Sequence, residues 1–276
     1  VTQSQAKVIA ELFALFELTA DDLQTITHLS DRILNLTTDA EDLVAFNYET
    51  IRHWHEFSYQ VLTVEALTSG IEGGSWIATQ DFDPNVDIKI RKAQVVCLGN
   101  GFEIISRPGS NGSNTIQLRE SYLTINFVLE GSHTTFIAKE CSFSNEKITS
   151  KGEYSDIVLT SCSFKRIFPI SDQQHIYLDV AGSIYIDNCI FELENITVIR
   201  ALKDQEHSSN KSYIKHCTFT KCGNPKGYGS IAINSYVNIL NSTFNQCCSE
   251  EGYGTIYVIF RDRDQTKSFI SHCQFK

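Results

Sequence analysis

Ile214-Lys-His-Cys217-Thr-Phe219 is followed by Ile239-Leu-Asn-Ser242-Thr-Phe244 and then by Ile270-Ser-His-Cys273-Gln-Phe275. Earlier in the chain stand Ala138-Lys-Glu-Cys141-Ser-Phe143, Leu159-Thr-Ser-Cys162-Ser-Phe164 and Ile186-Asp-Asn-Cys189-Ile-Phe191. One mark, apolar-x-x-Cys-x-Phe, therefore occurs six times, with Ser242 once in place of Cys. Successive Phe marks are 21, 27, 28, 25 and 31 residues apart. Self-similarity at intervals of roughly 20–50 residues is the signature of a stacked-repeat architecture.

Aligned on the Cys, the chain falls into columns. Three residues before it lie Ala138, Leu159, Ile186, Ile214, Ile239 and Ile270. Five before it lie Phe136, Ile157, Ile184, Ser212, Val237 and Ser268. Apolar positions alternating with polar ones predict a strand with one buried face, and the Phe keeps that parity. A single unit cannot bury its apolar face alone. Stacking equivalent strands about 4.8 Å apart buries one continuous core. The connections are short and polar, as in Ser171-Asp-Gln-Gln-His175, and leave no room for helices. The expected fold is mainly β: a right-handed, single-stranded parallel β-helix, a pectate-lyase-like solenoid, preceded by a small α-helical segment.

The clearest copies are Cys217-Thr-Phe-Thr-Lys-Cys222 with Gly227-Tyr-Gly-Ser-Ile231, and Ser242-Thr-Phe-Asn-Gln-Cys247 with Gly252-Tyr-Gly-Thr-Ile256. The paired glycines predict a tight corner before the next strand. These units resemble the β-helix repeats of polymorphic outer membrane proteins, found in chlamydial and protist surface proteins. The likeness rests on Phe219-x-x-Cys222 with Gly229-Ser-Ile231 and on Phe244-x-x-Cys247 with Gly254-Thr-Ile256, and covers residues 136–276. Cys replaces the family's Asn, and Gly-Tyr-Gly its paired glycines. The resemblance implies adhesion and surface display.

Net charge is −10, from 33 acidic and 23 basic residues, with no Lys/Arg cluster. Nucleic acid is therefore not an expected partner. No stretch of apolar residues is long enough to span a bilayer, so no transmembrane segment is expected within these residues. The chain contains no Met, begins Val1-Thr-Gln and ends Cys273-Gln-Phe-Lys276 within a coil. We read it as a piece of a longer protein whose signal and anchor lie outside it. Asn-x-Ser/Thr triplets begin at Asn35, Asn111, Asn195, Asn210 and Asn241. They point to an extracellular or cell-surface location, although Asn241 also reads as an ordinary turn residue.

Three readings of the nine cysteines stay open. The first is a buried ladder of reduced thiols, because in-register neighbours have parallel Cβ vectors. The second is disulfide bonding, with Cys222–Cys247 or the vicinal Cys247-Cys248 as candidates. The third is zinc, with His216 and His272 beside ladder cysteines. Those histidines share a column with Glu140, Ser161, Asn188 and Asn241, which reads as an exposed corner.

Residues 1–70 carry a different pattern. Ile9, Leu12, Phe13 and Phe16 have helical spacing, as do Ile26, Leu29, Ile33 and Leu36. Thr38 with Glu41 forms a capping box for a third helix carrying Leu43, Phe46, Trp54, Phe57 and Val61, ending near Ser69-Gly70. This segment is expected to cap the solenoid or to act as a separate interaction module. Residues 71–276 are expected to form the solenoid. In its early part Ile88 and Ile90, Val95 and Val96, Phe102 and Ile104, Ile116 and Leu118, and Leu123, Ile125 and Phe127 mark strands of two or three less regular coils.

A solenoid can also carry a lyase or glycosidase site, which needs convergent carboxylates. The column two before the Cys reads Lys139, Thr160, Asp187, Lys215, Leu240 and Ser271, without paired acids. Asp187 beside Lys215 predicts a surface ion pair. Asp172, Asp179 and Arg261-Asp-Arg-Asp264 are scattered. Asp21-Asp22 and His53-Trp-His55 fall in the helical segment. We assign no catalytic, cofactor-binding or metal-ligating residue and no cofactor. The expected function is non-enzymatic binding or surface structure, adhesin-like, with a glycan or protein ligand on the solenoid face. Tyr177, Tyr185, Tyr213, Tyr228, Tyr253 and Tyr257 are the aromatic candidates. The alternative is a carbohydrate-active enzyme, a polysaccharide lyase or glycoside hydrolase.

Overall fold

A computed structural model describes residues 60–78, 80–97, 102–107, 113–131, 133–144, 147–151, 155–165, 176–193, 197–201, 211–223, 229–233, 236–247, 254–258 and 269–276. Most of the helical pattern of residues 1–70 lies outside the described residues. The described residues form a right-handed parallel β-helix of three sheets with ten, nine and seven strands. All the strand pairings are parallel, as in Thr135–Lys139 on Asp156–Thr160. Each coil visits the nine-stranded sheet first, with strands such as Lys211–Lys215. It then crosses the ten-stranded sheet, as at Thr218–Thr220, and the seven-stranded sheet, as at Ile231–Ile233.

The predicted columns are in register. Leu118, Ala138, Leu159, Ile186, Ile214 and Ile239 are successive neighbours, all buried. The Phe column is a stack of near-parallel rings. Phe143, Phe164, Phe191, Phe219 and Phe244 have centroids 4.7–4.8 Å apart and planes within 3–8°. Aromatic pairs of this kind contribute about 0.5–1.5 kcal/mol beyond their buried area. Phe275 continues the stack at 5.1 Å but is 57% exposed, because no described coil covers it.

One expectation needs correcting. The mark is not a single strand. The residue before each Cys has positive φ: 55° at Glu140, 53° at Ser161, 54° at Asn188, 55° at His216, 48° at Asn241 and 54° at His272. This left-handed residue turns the chain from the nine-stranded onto the ten-stranded sheet. Such a conformation costs about 1–2 kcal/mol for a residue with a Cβ. It is held by hydrogen bonds between coils: the N–H of Glu140 donates to the Thr160 carbonyl at 2.9 Å, and that of His216 to Leu240 at 3.0 Å. Parity survives because the corner turns Cys and Phe inward together.

The amino-terminal end also differs from expectation. Val61 is not helical. Gln60–Val61 is a strand paired with Trp76 and Ile77. A short helix α1 follows at Val64–Ser69, with Thr63 as N-cap accepting from the Ala66 N–H at 3.2 Å. It ends at Gly70, where φ is 84°. β-Branched Val61 and Thr63 favour an extended entry, and the Thr63 hydroxyl begins the helix only after it. The predicted early strands are present, including Ile88–Arg91, Gln94–Cys97, Glu103–Ser106 and Thr115–Arg119.

Candidate functional site: the outer face of the nine-stranded sheet

The strands of this sheet bury alternate residues, so each sends two or three side chains outward in register with its neighbours. One outward column runs Glu72, Arg91, Arg119, Lys139, Thr160, Asp187, Lys215. Beside it, two residues earlier on each strand, lie Lys89, Gln117, Ile137, Val158, Tyr185 and Tyr213. These columns form two patches.

The first patch is aromatic and polar. Tyr185 and Tyr213 stack with centroids 5.8 Å apart and planes 18° apart, and Tyr185 is 38% exposed. Asp187 accepts from Lys215 Nζ at 3.1 Å, the predicted ion pair, and meets His216 Nδ1 at 2.9 Å. His216 and then Lys215 hold its carboxyl below the usual carboxylate range, against the opposing effect of burial. His216 Nε2 lies 3.4 Å from Asn241 Nδ2. The His216 contact was missed by sequence reasoning. An exposed corner was legible, but the left-handed turn carries the ring back toward a strand neighbour one coil earlier.

The second patch is a groove of about 510 Å³ lined by the end of α1, the first strand of the sheet, Ile71–Glu72, and the strands carrying Lys89, Arg91, Arg119 and Lys139. Arg91 pairs with Glu72 at 3.4 Å, Arg119 with Glu120 at 2.9 Å, and Lys139 with Glu140 at 3.5 Å.

Other singled-out residues lie elsewhere. Asp179 is on the seven-stranded sheet, gripped by Arg200 through Nε at 3.1 Å and a second nitrogen at 2.5 Å. Asp172, Asp21-Asp22, His53, His55 and the Arg261–Asp264 run lie outside the described residues, as do Tyr228 and Tyr253. So does the side chain of Tyr177.

The cysteines fill a structural role at the corners. Seven described cysteines are free: Cys141, Cys162, Cys189, Cys217, Cys222, Cys247 and Cys273. In the long ladder each sulfur donates to the carbonyl two residues back, as in Cys189 to Asp187 at 3.4 Å and Cys217 to Lys215 at 3.2 Å. The sulfur of Cys189 also accepts from the corner N–H one coil earlier: the Cys162 N–H donates to it at 3.4 Å. Ser242 repeats both bonds, donating to Leu240 at 3.0 Å and accepting from the Cys217 N–H at 3.2 Å. Ser121 does the same with Arg119 and Ala93. A small side chain that both donates and accepts satisfies a corner N–H that the sheet ladder leaves unpaired. Cys162 and Cys189 are pushed up to about 12. A ladder neighbour's hydrogen bond lowers each, but the next neighbour's bond and burial outweigh it. Cys247, half-buried at the end of a two-member ladder, is drawn below the ordinary thiol range, chiefly by the Cys222 thiol, while burial pushes Cys222 up. Among the described residues no three His, Cys, Asp or Glu side chains form a group able to hold a metal ion. Nor is any described helix long and apolar enough to cross a membrane.

No family model, no curated protein and no solved structure matches this chain.

Proposed function

We propose that the chain is a non-enzymatic binding solenoid, adhesin-like in use, whose nine-stranded sheet meets a glycan or protein ligand. The observation that carries this reading is the outward Tyr185–Tyr213 stack with Asp187 and Lys215 beside it. Ring faces accept the apolar face of a sugar or a side chain, while a carboxylate and an ammonium at their edge orient hydroxyls or amides. The parallel stack holds these groups on strands, so little ordering entropy is lost on binding. A glycan-cleaving site is less well supported. Retaining hydrolysis needs a second carboxyl about 5–5.5 Å away. The strand neighbours of Asp187 are Thr160 and Lys215, and Arg200 neighbours Asp179. The resemblance to polymorphic outer membrane protein repeats supports surface display.

The test is titration of the full chain with a panel of oligosaccharides, followed by Tyr213→Ala. A ligand that binds unchanged by the chain, and whose affinity falls about tenfold in the variant, roughly 1.4 kcal/mol, supports the reading. Undiminished binding in the variant, or cleavage of the ligand, contradicts it.

A further inference from the structure

Two faces of this solenoid treat charge in opposite ways. Beside the seven-stranded sheet Asp83, Arg107, Glu130 and Lys151 alternate in sign, and each contact in the row is 2.6–2.9 Å. Stability alone favours that arrangement, because opposite charges on neighbouring strands attract and like charges directly opposed repel. On the nine-stranded sheet Arg91, Arg119 and Lys139 occupy directly opposed positions on three successive strands. Three cations are thereby stacked at a strand spacing of about 4.8 Å. Lys89 adds a fourth, two residues before Arg91. Glu72, Glu120 and Glu140 approach three of these cations, yet the Arg91, Arg119 and Lys139 side chains keep 45–50% of their surface open. All four line the groove beside the sheet's first strand, Ile71–Glu72, where Glu72 lies directly opposite Arg91. The chain as a whole carries −10, so a like-sign cationic row stands against its general charge.

We propose that this groove binds a linear anionic glycan, with a carboxylate or sulfate on each sugar ring, laid along the solenoid axis with successive anions over Arg91, Arg119 and Lys139. The proposal rests on the binding reading above but uses different residues. Spacing and lining favour a glycan over other polyanions. A peptide strand places same-face side chains about 6.6 Å apart, out of step with the cations. Single-stranded nucleic acid is held by aromatic stacking platforms, and the groove lining contains no aromatic residue. A glycan with one anion per ring offers a charge at close to the coil spacing.

The full chain is titrated with oligogalacturonate, heparin oligosaccharide, neutral dextran oligosaccharide, oligoglutamate and oligothymidylate, at low and high ionic strength. Binding of oligogalacturonate identifies carboxylates as the anions read, and binding of heparin identifies sulfates; either supports the proposal. The expected binding weakens with salt, because screening shortens from about 10 Å at 0.1 M to about 3 Å at 1 M. Arg119→Ala and Lys139→Ala each weaken it about tenfold, roughly 1.4 kcal/mol. Arg119→Lys retains most of it. Lys165→Ala, an exposed cation on the ten-stranded sheet, leaves it unchanged. The proposal is overturned by oligoglutamate or oligothymidylate binding as tightly as the glycans, or by Arg119→Ala binding like the parent. Neutral-glycan binding that depends on Tyr213, with no anionic glycan bound, also overturns it while leaving the broader reading intact.

Discussion

Replacing Cys189 by alanine and by serine separates two accounts of the thiol ladder. Cys189 is fully buried. Its sulfur accepts the Cys162 N–H and donates to the Asp187 carbonyl, both at 3.4 Å. Alanine removes both bonds and strands a buried N–H, at a cost of about 1–3 kcal/mol. Losing the buried sulfur adds about 0.8 kcal/mol, taking it as one methylene. The total is about 2–4 kcal/mol. Serine keeps both bonds, as Ser242 already does two column positions away at 3.0 and 3.2 Å, and costs about 1 kcal/mol or less. Urea unfolding at constant slope reads the difference as a shift in midpoint. If the column is only apolar packing, the order reverses, because a hydroxyl buried without a partner costs more than a methyl. Serine more destabilising than alanine would refute the hydrogen-bond account.

Phe191→Ala, deep in the ring stack, should cost about 3–5 kcal/mol in the same assay. Phe275→Ala, 57% exposed, should cost about 1 kcal/mol or less; equal losses would contradict the exposed position of Phe275. Gly229→Ala should destabilise by about 1–3 kcal/mol, because a Cβ there overlaps the carbonyl oxygen of Gly254 in the next coil. A neutral effect would contradict that close approach. Alkaline titration tests the buried thiols. Cys162 and Cys189 are raised to about 12, whereas an unfolded thiol titrates near about 8.5. The folded chain then holds more protons than the unfolded one, so the stabilisation is full below about pH 8.5 and declines as pH rises toward 12. The decline is about 1.4 kcal/mol per pH unit for each such thiol. Stability flat from pH 8.5 to 11 would place these thiols in contact with solvent.

The repeat made the fold legible because parity and spacing are set by the core. Each inward Ile and Phe must meet its counterpart one coil away, and that demand is written directly in residue type. The corner was legible only as exposure. Glu140, Ser161, Asn188 and His216 share no side-chain chemistry, since what unites them is a backbone angle. Gly229 was read as one of the paired glycines of a tight corner. The structure assigns it instead to close backbone approach, which depends on the neighbouring coil. The Asp187–Lys215 pair followed from column alignment. The Arg91–Arg119–Lys139 row did not, because Arg91 and Arg119 lie in coils that lack the Cys mark and so had no alignment to place them beside Lys139. The alternating ion row on the seven-stranded sheet was hidden for a related reason: its residues lie after strands whose connecting lengths vary from coil to coil.

The most direct test of the functional account is to incubate the full chain with a polysaccharide panel and follow bound ligand and released ends together. The account predicts retention of a glycan with no new reducing or unsaturated ends, and loss of that retention when Tyr213 and Arg119 are both replaced by alanine. Release of such ends by the parent chain, abolished by Asp187→Asn, would contradict it and make the nine-stranded sheet a catalytic face.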